Sequence, residues 1–425
     1  MNITIIGTGF VGAVSSAVYA SLGNQVVGLD IDPKKVASLE KGQVPFYEPG
    51  LEDLLNSQQK RGKLSFTTNY EKAIPGADLV IIAVGTPSLA SGAVDLTYVK
   101  QACQDLAPHL KDEAVIVIKS TVPPGIFKEL QPLISNKTKA KFHLAALPEF
   151  LKEGTAVEDA LHPDRVVIGS NEPKVIKMLK QLHKPFNAPL LVVSPESAQM
   201  IKYCANAYLA TRITFINQMA NLCEHNNADI EDVIQGIGYD KRIGHHYWYP
   251  GPGYGGSCFP KDVNELAAYA QTVGEKDNLV VVVSKLNEQR IPKLMQQYTQ
   301  LVGGWQKKTV AVLGLSFKPN TNDNRDAPAL KIVPHLLKEG AVVKAHDPET
   351  RWSPEENQER YQQCQSIDET IDQADVVFLL VEWAQYLEYQ FPQTKRQAFF
   401  IDTRNRFDRE KLTKLGYTYQ GVGRA

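Results

Sequence analysis

The stretch NITIIGTGFVG (residues 2–12) sets the architecture of the N-terminal half. The apolar residues 3–6 predict a short β-strand, and the closely spaced glycines that follow predict a tight turn. Residues 13–22 then predict a helix, and residues 25–29 predict a second strand. A strand, a turn, a helix and a strand in this order predict a βαβ unit with two parallel strands.

The three glycines of this unit have the GxGxxG spacing of a dinucleotide-binding turn. In such a turn Gly7 permits the sharp change of direction, Gly9 leaves room for a pyrophosphate, and Gly12 lets the helix pack against the strand. The start of the helix faces the phosphates, because its free N–H groups favour an anion. The motif therefore predicts a nicotinamide dinucleotide as the cofactor.

Asp30 closes the second predicted strand and is expected to bind the hydroxyls of the adenosine ribose. A carboxylate at this position repels a 2′-phosphate, so Asp30 favours NAD over NADP. Lys34 and Lys35 follow closely and keep NADP open, because a cation beside the ribose accepts that phosphate.

More apolar runs at regular intervals predict further strands of a mostly parallel sheet, at residues 79–84, 115–119, 143–147, 166–168 and 190–193. Residues 195–224 predict one long helix, with Ser194 as its N-cap and Pro195 in its first turn. Lys202 and Asn206 are four residues apart on this helix and share one face. Cys204 and Cys223 on the same helix are predicted to be buried.

A second α/β pattern after residue 303 echoes the first, since KTVAVLGLSFK (308–318) resembles NITIIGTGFVG. Its first turn lacks the GxGxxG set, so it is expected to hold a nucleotide by other means, with Lys318 and Arg404 as phosphate cations. The predicted fold class is α/β, with two Rossmann-like parallel-sheet domains joined by a long central helix. The predicted domains are 1–194 for NAD binding, 195–300 for the central helical region with the cysteine loop, and 301–425 for a nucleotide sugar.

The composition of the 425 residues limits the possible partners and compartments. A net charge of −1 offers no overall attraction for nucleic acid or an acidic membrane, and no apolar run is long enough to span a bilayer. The five cysteines are scattered and odd in number, which argues against a disulfide framework and a structural zinc site. These features predict a cytoplasmic protein without a metal.

The stretch GPGYGGSCFPKD (residues 251–262) is predicted to be a loop, because its glycines and prolines disfavour helix and strand. It holds the thiol of Cys258, with Lys261 and Asp262 at its end. With GTGFVG, VGTP, KSTVPPG, LPEFLKEGTA, MIKYCANAYLATR, DKRIG and GLSFKPNTNDNRDAP, the chain resembles the UDP-glucose/GDP-mannose dehydrogenase family over essentially its whole length.

This resemblance implies the oxidation of UDP-glucose to UDP-glucuronate with two NAD. Cys258 would add to the aldehyde formed by the first oxidation, and the thiohemiacetal would be oxidised to a thioester that water cleaves. The alternatives left open are a GDP-mannose 6-dehydrogenase, a protein that binds NAD and a nucleotide sugar without turnover, and a two-electron dehydrogenase of the β-hydroxyacid type.

The resemblance also assigns the site residues. The expected catalytic residues are Cys258, Lys202, Asn206, Asp262, Thr121 and Glu149. The expected cofactor-binding residues are Gly7, Gly9, Phe10, Val11, Gly12, Asp30, Lys35, Thr86, Thr121, Glu153, Lys261 and Arg325. The expected substrate-binding residues are Glu149, Phe150, Leu151, Lys152, Glu153, Lys202, Asn206, Arg242, Tyr249, Gly251, Gly253, Gly255, Phe317, Lys318 and Arg404. A homodimer is expected, in which Arg242 reaches the neighbouring chain's site.

Overall fold

The computed structural model describes residues 1–394 and 396–424. The chain divides into two compact units, Met1–Ala205 and Asn206–Ala425. Helix α9 (Pro195–Asn226) is continuous through this division and matches the long helix predicted from the sequence. The predicted three-domain boundaries stay a prediction.

The first unit contains one sheet with helices on both faces. Its strands are β1 (Asn2–Ile6), β2 (Gln25–Leu29), β3 (Leu64–Thr67), β4 (Leu79–Ile82), β5 (Ala114–Ile118), β6 (Phe142–Ala146), β7 (Val166–Gly169) and β8 (Leu190–Val193). Its helices are α1 (Phe10–Ser21), α2 (Pro33–Glu40), α3 (Leu51–Lys60), α4 (Tyr70–Ala73), α5 (Thr97–Leu106), α6 (Phe127–Ser135), α7 (Ala156–Leu161) and α8 (Pro173–His183).

The strand order in this sheet is β3-β2-β1-β4-β5-β6-β7-β8. Neighbouring strands pair in parallel except β6 and β7, which meet antiparallel at Ala146 and Gly169. Alternate residues of each strand enter cores on opposite faces: Ile5 lies in one core and Ile6 in the other. Burying each such side chain stabilises the fold by about 1.5–3 kcal/mol.

The second unit contains the remaining helices and a second sheet. Its helices are α10 (Ile230–Gly238), α11 (Phe259–Thr272), α12 (Leu279–Glu288), α13 (Arg290–Val302), α14 (Ala329–Lys338), α15 (Ile367–Ile371), α16 (Ala384–Glu388) and α17 (Arg409–Lys414). Its strands are β9 (Thr309–Leu313), β10 (Val342–His346), β11 (Tyr361–Gln363), β12 (Val376–Leu379), β13 (Ala398–Asp402) and β14 (Tyr417–Gly421).

The strands of this second sheet have the order β11-β10-β9-β12-β13-β14, and all their described pairings are parallel. The predicted fold class of two Rossmann-like sheets is therefore confirmed. Three strands, β3, β11 and β14, were not predicted. Polar residues interrupt each of them, so they lack the apolar run that marks the central strands.

Two local predictions were wrong. Helix α11 begins at Phe259, so residues 259–262 are helical and only the residues before Cys258 form a loop. Pro260 does not prevent this, because proline suits the first turn of a helix, where its missing N–H has no partner to lose. Cys204 is exposed on α9, although it was expected to be buried.

Candidate active site

The glycine turn of the first unit has the geometry that its sequence predicts. Gly7 has a φ of +88°, and a side chain there would lie 2.8 Å from the Ala83 carbonyl oxygen. A Cβ at Gly12 would lie 1.8 Å from the Gly7 carbonyl oxygen, whereas a Cβ at Gly9 would have no atom within 4 Å. Gly9 is the N-cap residue of α1, and no side chain makes a capping hydrogen bond at this helix N-terminus. The turn is therefore packed behind and open in front, which fits a pyrophosphate at the helix N-terminus.

Asp30 lies directly after β2 and is buried. Its Oδ2 accepts from the N–H and hydroxyl of Thr8, at 2.8 and 2.9 Å, and from Nζ of Lys35 at 2.9 Å. Its Oδ1 accepts from the Asp32 N–H at 3.1 Å. Burial opposes ionisation, but these donors outweigh it and hold the pKa of Asp30 below its ordinary value. Lys35, itself expected to contact the cofactor, thus forms an ion pair with Asp30.

The other expected cofactor residues of the first unit lie close to strand ends. Phe10 and Val11 start α1, and the Phe10 ring packs on Phe46 at 5.2 Å between centroids. Thr86 is buried in the loop after β4. Thr121 follows β5 and lines a small cleft together with Lys202. The carboxyl ends of parallel strands are where open α/β sheets bind ligands, so these positions suit a cofactor.

A buried ion pair joins Glu149 to Lys202, whose Nζ lies 2.7 Å from Glu149 Oε1. The other carboxylate oxygen accepts from the Leu151 N–H at 2.7 Å. Burial opposes ionisation of Glu149, but the Lys202 ammonium and the Leu151 N–H outweigh it and lower the pKa of this carboxyl. Glu149 is therefore ionised at neutral pH, the form that a general base requires.

Glu48 holds the segment that follows Glu149, and the sequence reasoning missed it. Its buried carboxylate accepts from the N–H groups of Gly154 and Ala156, at 2.6 and 2.7 Å. These bonds fix the loop that carries Glu153, which is itself buried. The available signal was an acid in YEPG (47–50), a segment otherwise poor in charge.

The residues beside Glu149 that are expected to bind the substrate differ in exposure and contacts. The Arg165 guanidinium lies 3.6 Å from the centroid of the Phe150 ring. Lys152 is exposed and pairs with Asp159 at 3.0 Å, and Leu151 is half-buried. Lys119, which was not predicted, lines the adjoining cavity of about 90 Å³ with Glu149. Burial lowers the pKa of Lys119 to about 8.

In the second unit, Asp262 links three of the predicted residues. Asn206 donates to Asp262 Oδ2 at 2.5 Å, and Lys261 Nζ contacts Asp262 Oδ1 at 2.5 Å. Asp262 is only 1% exposed, so both carboxylate oxygens are held away from bulk water. The Asp262 N–H donates to the Cys258 carbonyl at 2.8 Å, a backbone bond of the first turn of α11, so Asp262 lies one helical turn after the half-buried cysteine.

Cys258 is the N-cap residue of α11, and its Sγ lies 3.6 Å from the Ser257 hydroxyl. The N-terminus of a helix carries a partial positive charge that stabilises an anion. This position therefore favours the thiolate, which is the nucleophilic form of cysteine. Because residues 259–262 were predicted to be loop, the sequence analysis missed that Cys258 lies at a helix N-terminus.

The glycine loop before Cys258 packs against the turns at the edge of the second sheet. A Cβ at Gly251 would lie 2.8 Å from the Thr403 carbonyl oxygen and 3.6 Å from an Arg404 nitrogen. A Cβ at Gly255 would lie 2.2 Å from the Asp326 carbonyl oxygen. The loop is therefore in close contact with the strand-end segment that carries Arg404.

The same loop also contacts the turn after β9. The Gly256 N–H donates to the Arg325 carbonyl at 2.9 Å, and a Cβ at Gly256 would lie 2.7 Å from the Phe317 ring. Lys318 Nζ lies 5.6 Å from the centroid of that ring. The second unit thus brings Gly251, Gly255, Phe317 and Arg404 into one neighbourhood.

Two cations of the second unit are held by nearby acids. Arg325 is bonded to Asp323 at 2.7 Å, and the exposed Arg242 is bonded to Asp240 at 2.6 Å. Tyr249 is 54% exposed. Arg242 lies on the turn after α10, where its side chain faces solvent.

In residues 1–394 and 396–424, none of the helices combines the length and apolarity needed to cross a bilayer. The same residues contain no group of three or more His, Cys, Asp or Glu side chains placed to hold a metal.

Three family models match successive parts of the chain. All belong to the UDP-glucose/GDP-mannose dehydrogenase family: the NAD binding domain at residues 1–187, the central domain at 196–289 and the UDP binding domain at 311–409. The cofactor of this family's N-terminal domain is NAD, as the glycine turn predicts.

Curated relatives and solved structures match over the full length. UDP-glucose 6-dehydrogenase TuaD of Bacillus subtilis is 42% identical, with 100% of this chain and 93% of the relative covered. UDP-glucose 6-dehydrogenase of Pseudomonas aeruginosa is 38% identical, with 100% and 98% covered. A UDP-glucose dehydrogenase structure from Pyrobaculum islandicum superposes with a TM-score of 0.91 at 34% identity, covering 100% and 98%. The chain therefore belongs to the UDP-glucose/GDP-mannose dehydrogenase family.

Proposed function

We propose that this protein oxidises UDP-glucose to UDP-glucuronate with two NAD. The observation that carries the proposal is the arrangement around Cys258: a thiol at a helix N-terminus, one helical turn before a buried carboxylate that an amide and an ammonium hold. A protein that only bound a nucleotide sugar would gain nothing from this arrangement. The full-length relatives named as UDP-glucose 6-dehydrogenases support UDP-glucose as the sugar.

The first oxidation removes a hydride from C6 of glucose and a proton from its hydroxyl. NAD accepts a hydride in each of the two oxidations. The packed turn at Gly12 and the open face at Gly9 would hold its pyrophosphate, and Asp30 its ribose. Asp262 and Thr121 would take part in the proton transfer, and Lys202 and Asn206 would stabilise the alkoxide by donating to its oxygen.

The second oxidation requires a nucleophile, because an aldehyde carbon has no alkoxide to expel its hydride. The Cys258 thiolate forms a carbon–sulfur bond to the aldehyde carbon, and the resulting alkoxide expels the second hydride. The product is a thioester on Cys258. Water activated by Glu149 then breaks the carbon–sulfur bond, releasing the carboxylate and restoring the thiol. Glu149 is ionised and can accept the proton from water, while its ion pair with Lys202 lowers its basicity.

The test is the number of NADH formed per sugar. We expect two NADH per UDP-glucose and no aldehyde trapped by a carbonyl reagent in the medium. UDP-glucose, GDP-mannose and UDP-N-acetylglucosamine should be compared at equal concentrations. A single NADH per sugar would overturn the four-electron reaction. Faster turnover of GDP-mannose than of UDP-glucose would make GDP-mannose the substrate. Binding without any NADH would support a non-catalytic role.

The role of Cys258 is tested by Cys258→Ser. A serine at the helix N-terminus can add to the aldehyde, but its ester is cleaved by water less readily than a thioester. We therefore expect turnover to fall by at least ~1,000-fold, on the scale seen when a covalent nucleophile is lost. Binding of NAD and UDP-glucose, measured by titration calorimetry, should remain. Wild-type turnover in Cys258→Ser would remove this thiol from the mechanism.

We also propose a homodimer that forms through α9. Tyr208, Phe215 and Leu222 are spaced seven residues apart on this helix and are 61%, 47% and 56% exposed. A seven-residue repeat of large apolar side chains places them on one face, and such a face gains stability when a second copy covers it. A two-fold dimer is the commonest way for identical chains to do so.

In this dimer Arg242 would reach the partner's substrate, where a guanidinium suits a diphosphate. The test mixes two inactive variants, Arg242→Ala and Cys258→Ala, under conditions in which subunits exchange. If Arg242 serves the other chain, about a quarter of all sites regain both groups at equal mixing. An exchanged mixture that stays inactive, or a monomer in sedimentation, contradicts the shared site.

A further inference from the structure

The glycine-rich loop at residues 251–256 lacks regular secondary structure, so its backbone polar groups need partners from elsewhere. Two side chains from different helices bind Gly251. Its N–H donates to Asn217 Oδ1 at 2.8 Å, and its carbonyl accepts from Arg290 Nε at 2.8 Å. Both backbone groups of Gly251 are thus held by side chains of α9 and α13.

Asn287 of α12 binds Tyr254 in the same paired manner. The Tyr254 N–H donates to Asn287 Oδ1 at 3.0 Å, and Asn287 Nδ2 donates to the Tyr254 carbonyl at 3.0 Å. One side-chain amide therefore satisfies both backbone groups, as a neighbouring strand would do in a sheet. Asn217, Asn287 and Arg290, here called the loop clamp, fix the loop at two points from three helices.

If the loop clamp served packing alone, its buried polar groups would be an unfavourable choice, because burying them costs free energy. Asn217 is 2% exposed and Arg290 is 3% exposed, and Arg290 Nη1 donates to the buried Asn221 at 2.6 Å. Among the described residues, Arg290 Nη2 has no hydrogen-bond partner. A buried charge costs several kcal/mol of desolvation, and apolar residues of similar volume are often equally stable. The buried polar groups of Asn217 and Arg290 therefore indicate that the protein requires a defined geometry of the loop at residues 251–256.

The clamp leaves the loop little freedom. Gly253, between the two fixed residues, has a φ of +96°, and a Cβ there would lie 2.3 Å from Asn287 Oδ1. Gly251 is held against Thr403 and Arg404, at the strand end expected to contact the nucleotide. Ordering a free loop costs conformational entropy, and a loop ordered in advance does not pay that cost when the ligand binds.

We propose that Asn217, Asn287 and Arg290 are positioning residues for the nucleotide sugar. They hold the loop at residues 251–256 in its binding shape before UDP-glucose arrives. None of the three needs to touch the substrate, because each acts through the backbone of Gly251 or Tyr254. The inference rests on the proposed function, since it takes UDP-glucose to be the ligand of this loop.

The principal test is Asn287→Ala, with Asn278→Ala as its matched control. Asn278 caps the same helix by accepting from the Val280 N–H, and its hydrogen bond lies outside the loop. We expect Asn287→Ala to raise KM for UDP-glucose at least tenfold, with KM for NAD within twofold of wild type. Asn278→Ala should lower the melting temperature comparably and leave both KM values within twofold.

Arg290 provides a second pair of variants. Arg290→Met removes the donor to Gly251, whereas Arg290→Lys keeps a cation that can donate to the Gly251 carbonyl. We expect the KM for UDP-glucose to rise in Arg290→Met and to recover substantially in Arg290→Lys. If Asn287→Ala does not fold, this pair decides the matter.

Each outcome has a distinct meaning. If the wild-type protein forms two NADH per UDP-glucose and folded Asn287→Ala has the wild-type KM for UDP-glucose, the positioning role of the loop clamp is overturned. The proposed function then stands. An equal rise of KM in Asn287→Ala and Asn278→Ala also overturns the positioning role, because loss of stability then explains the effect. A wild-type protein that neither binds nor oxidises UDP-glucose overturns both proposals.

Discussion

The first turns of the two sheets begin alike and then differ. Each turn comes directly after the first strand of its unit and begins with a glycine of positive φ, which is +88° at Gly7 and +104° at Gly314. Each also lies against an acid that closes the next strand, Asp30 in the first unit and Asp347 in the second. The resemblance between the two halves, visible in the sequence, thus extends to the hydrogen bonds of the turn.

The acid has the same structural task in both turns. Asp347 Oδ2 accepts from the N–H groups of Leu315 and Ser316, at 2.7 and 3.0 Å. Asp347 Oδ1 accepts from the Glu349 and Thr350 N–H groups, and the carboxylate is 1% exposed. An acid at this position therefore secures the turn whether or not a dinucleotide binds. By itself it is weak support for a ribose contact.

The residues after the first glycine make the difference. In the first unit Gly9 leaves open space, and α1 begins at once at Phe10. In the second unit Ser316 and Phe317 occupy the corresponding turn, and α14 begins only at Ala329. Room for a pyrophosphate at a helix N-terminus is thus a property of the first turn, which is where the NAD binding domain is matched.

The largest expected effect is the difference between alanine substitutions at Gly12 and Gly9, two glycines of the first turn. Gly12→Ala places a Cβ 1.8 Å from the Gly7 carbonyl, so we expect a loss of about 3 kcal/mol or more in unfolding free energy. Gly9→Ala meets open space, so stability should stay within ~1 kcal/mol while NAD affinity falls at least tenfold. Thermal denaturation and NAD titration of both variants measure this. Normal NAD affinity in Gly9→Ala would contradict the assignment of the pyrophosphate.

The next effect concerns the two acids. Asp347→Ala leaves several buried N–H donors without an acceptor, so we expect it to cost about 3 kcal/mol. Asp30→Ala removes fewer such bonds and should cost about 2 kcal/mol. Denaturant midpoints of the two variants give the comparison. Equal losses would mean that the turns depend on their acids to the same extent.

The smallest effect is the choice of cofactor. We expect the wild-type protein to prefer NAD over NADP at least tenfold in kcat/KM, which is about 1.4 kcal/mol. Asp30→Ala should reduce this preference below about threefold, the scale of a lost charge contact. Lys35→Ala should increase it, because Lys35 partly neutralises Asp30 across 2.9 Å. Steady-state rates with both cofactors test all three proteins. Equal use of NAD and NADP by the wild type would show that Lys34 and Lys35 outweigh the carboxylate.

The fold followed from the sequence because its signals are local. The strand–glycine–helix unit at residues 2–29, the apolar central strands and the N-cap of α9 each lie within a few residues. Polar residues interrupt the edge strands β3, β11 and β14, so none of them has the apolar run from which the central strands were predicted. The extent of α11 was missed because proline weighs against a helix in its interior but not in its first turn.

The site followed less completely, because its partners are far apart in the chain. Asn206 and Asp262 are 56 residues apart, and Glu149 and Lys202 are 53 apart. A single sequence holds no record of such pairs, so their roles were predicted by family resemblance and not by spacing. Glu48, Asn287 and Arg290 were missed because they act through backbone groups of other segments, and no spacing rule describes such contacts.

The exposure of Cys204 has a practical consequence for experiments with alkylating reagents. Cys103, Cys223 and Cys364 are buried, whereas Cys204 is exposed and Cys258 is half-buried. An alkylating reagent applied to the free chain will therefore label Cys204 alongside Cys258, the proposed nucleophile. Inactivation by iodoacetamide is best interpreted in a Cys204→Ser background, in which one modified thiol per inactivated chain identifies Cys258. In the wild-type chain, the labelling rate of Cys204 reports how far a second chain covers α9.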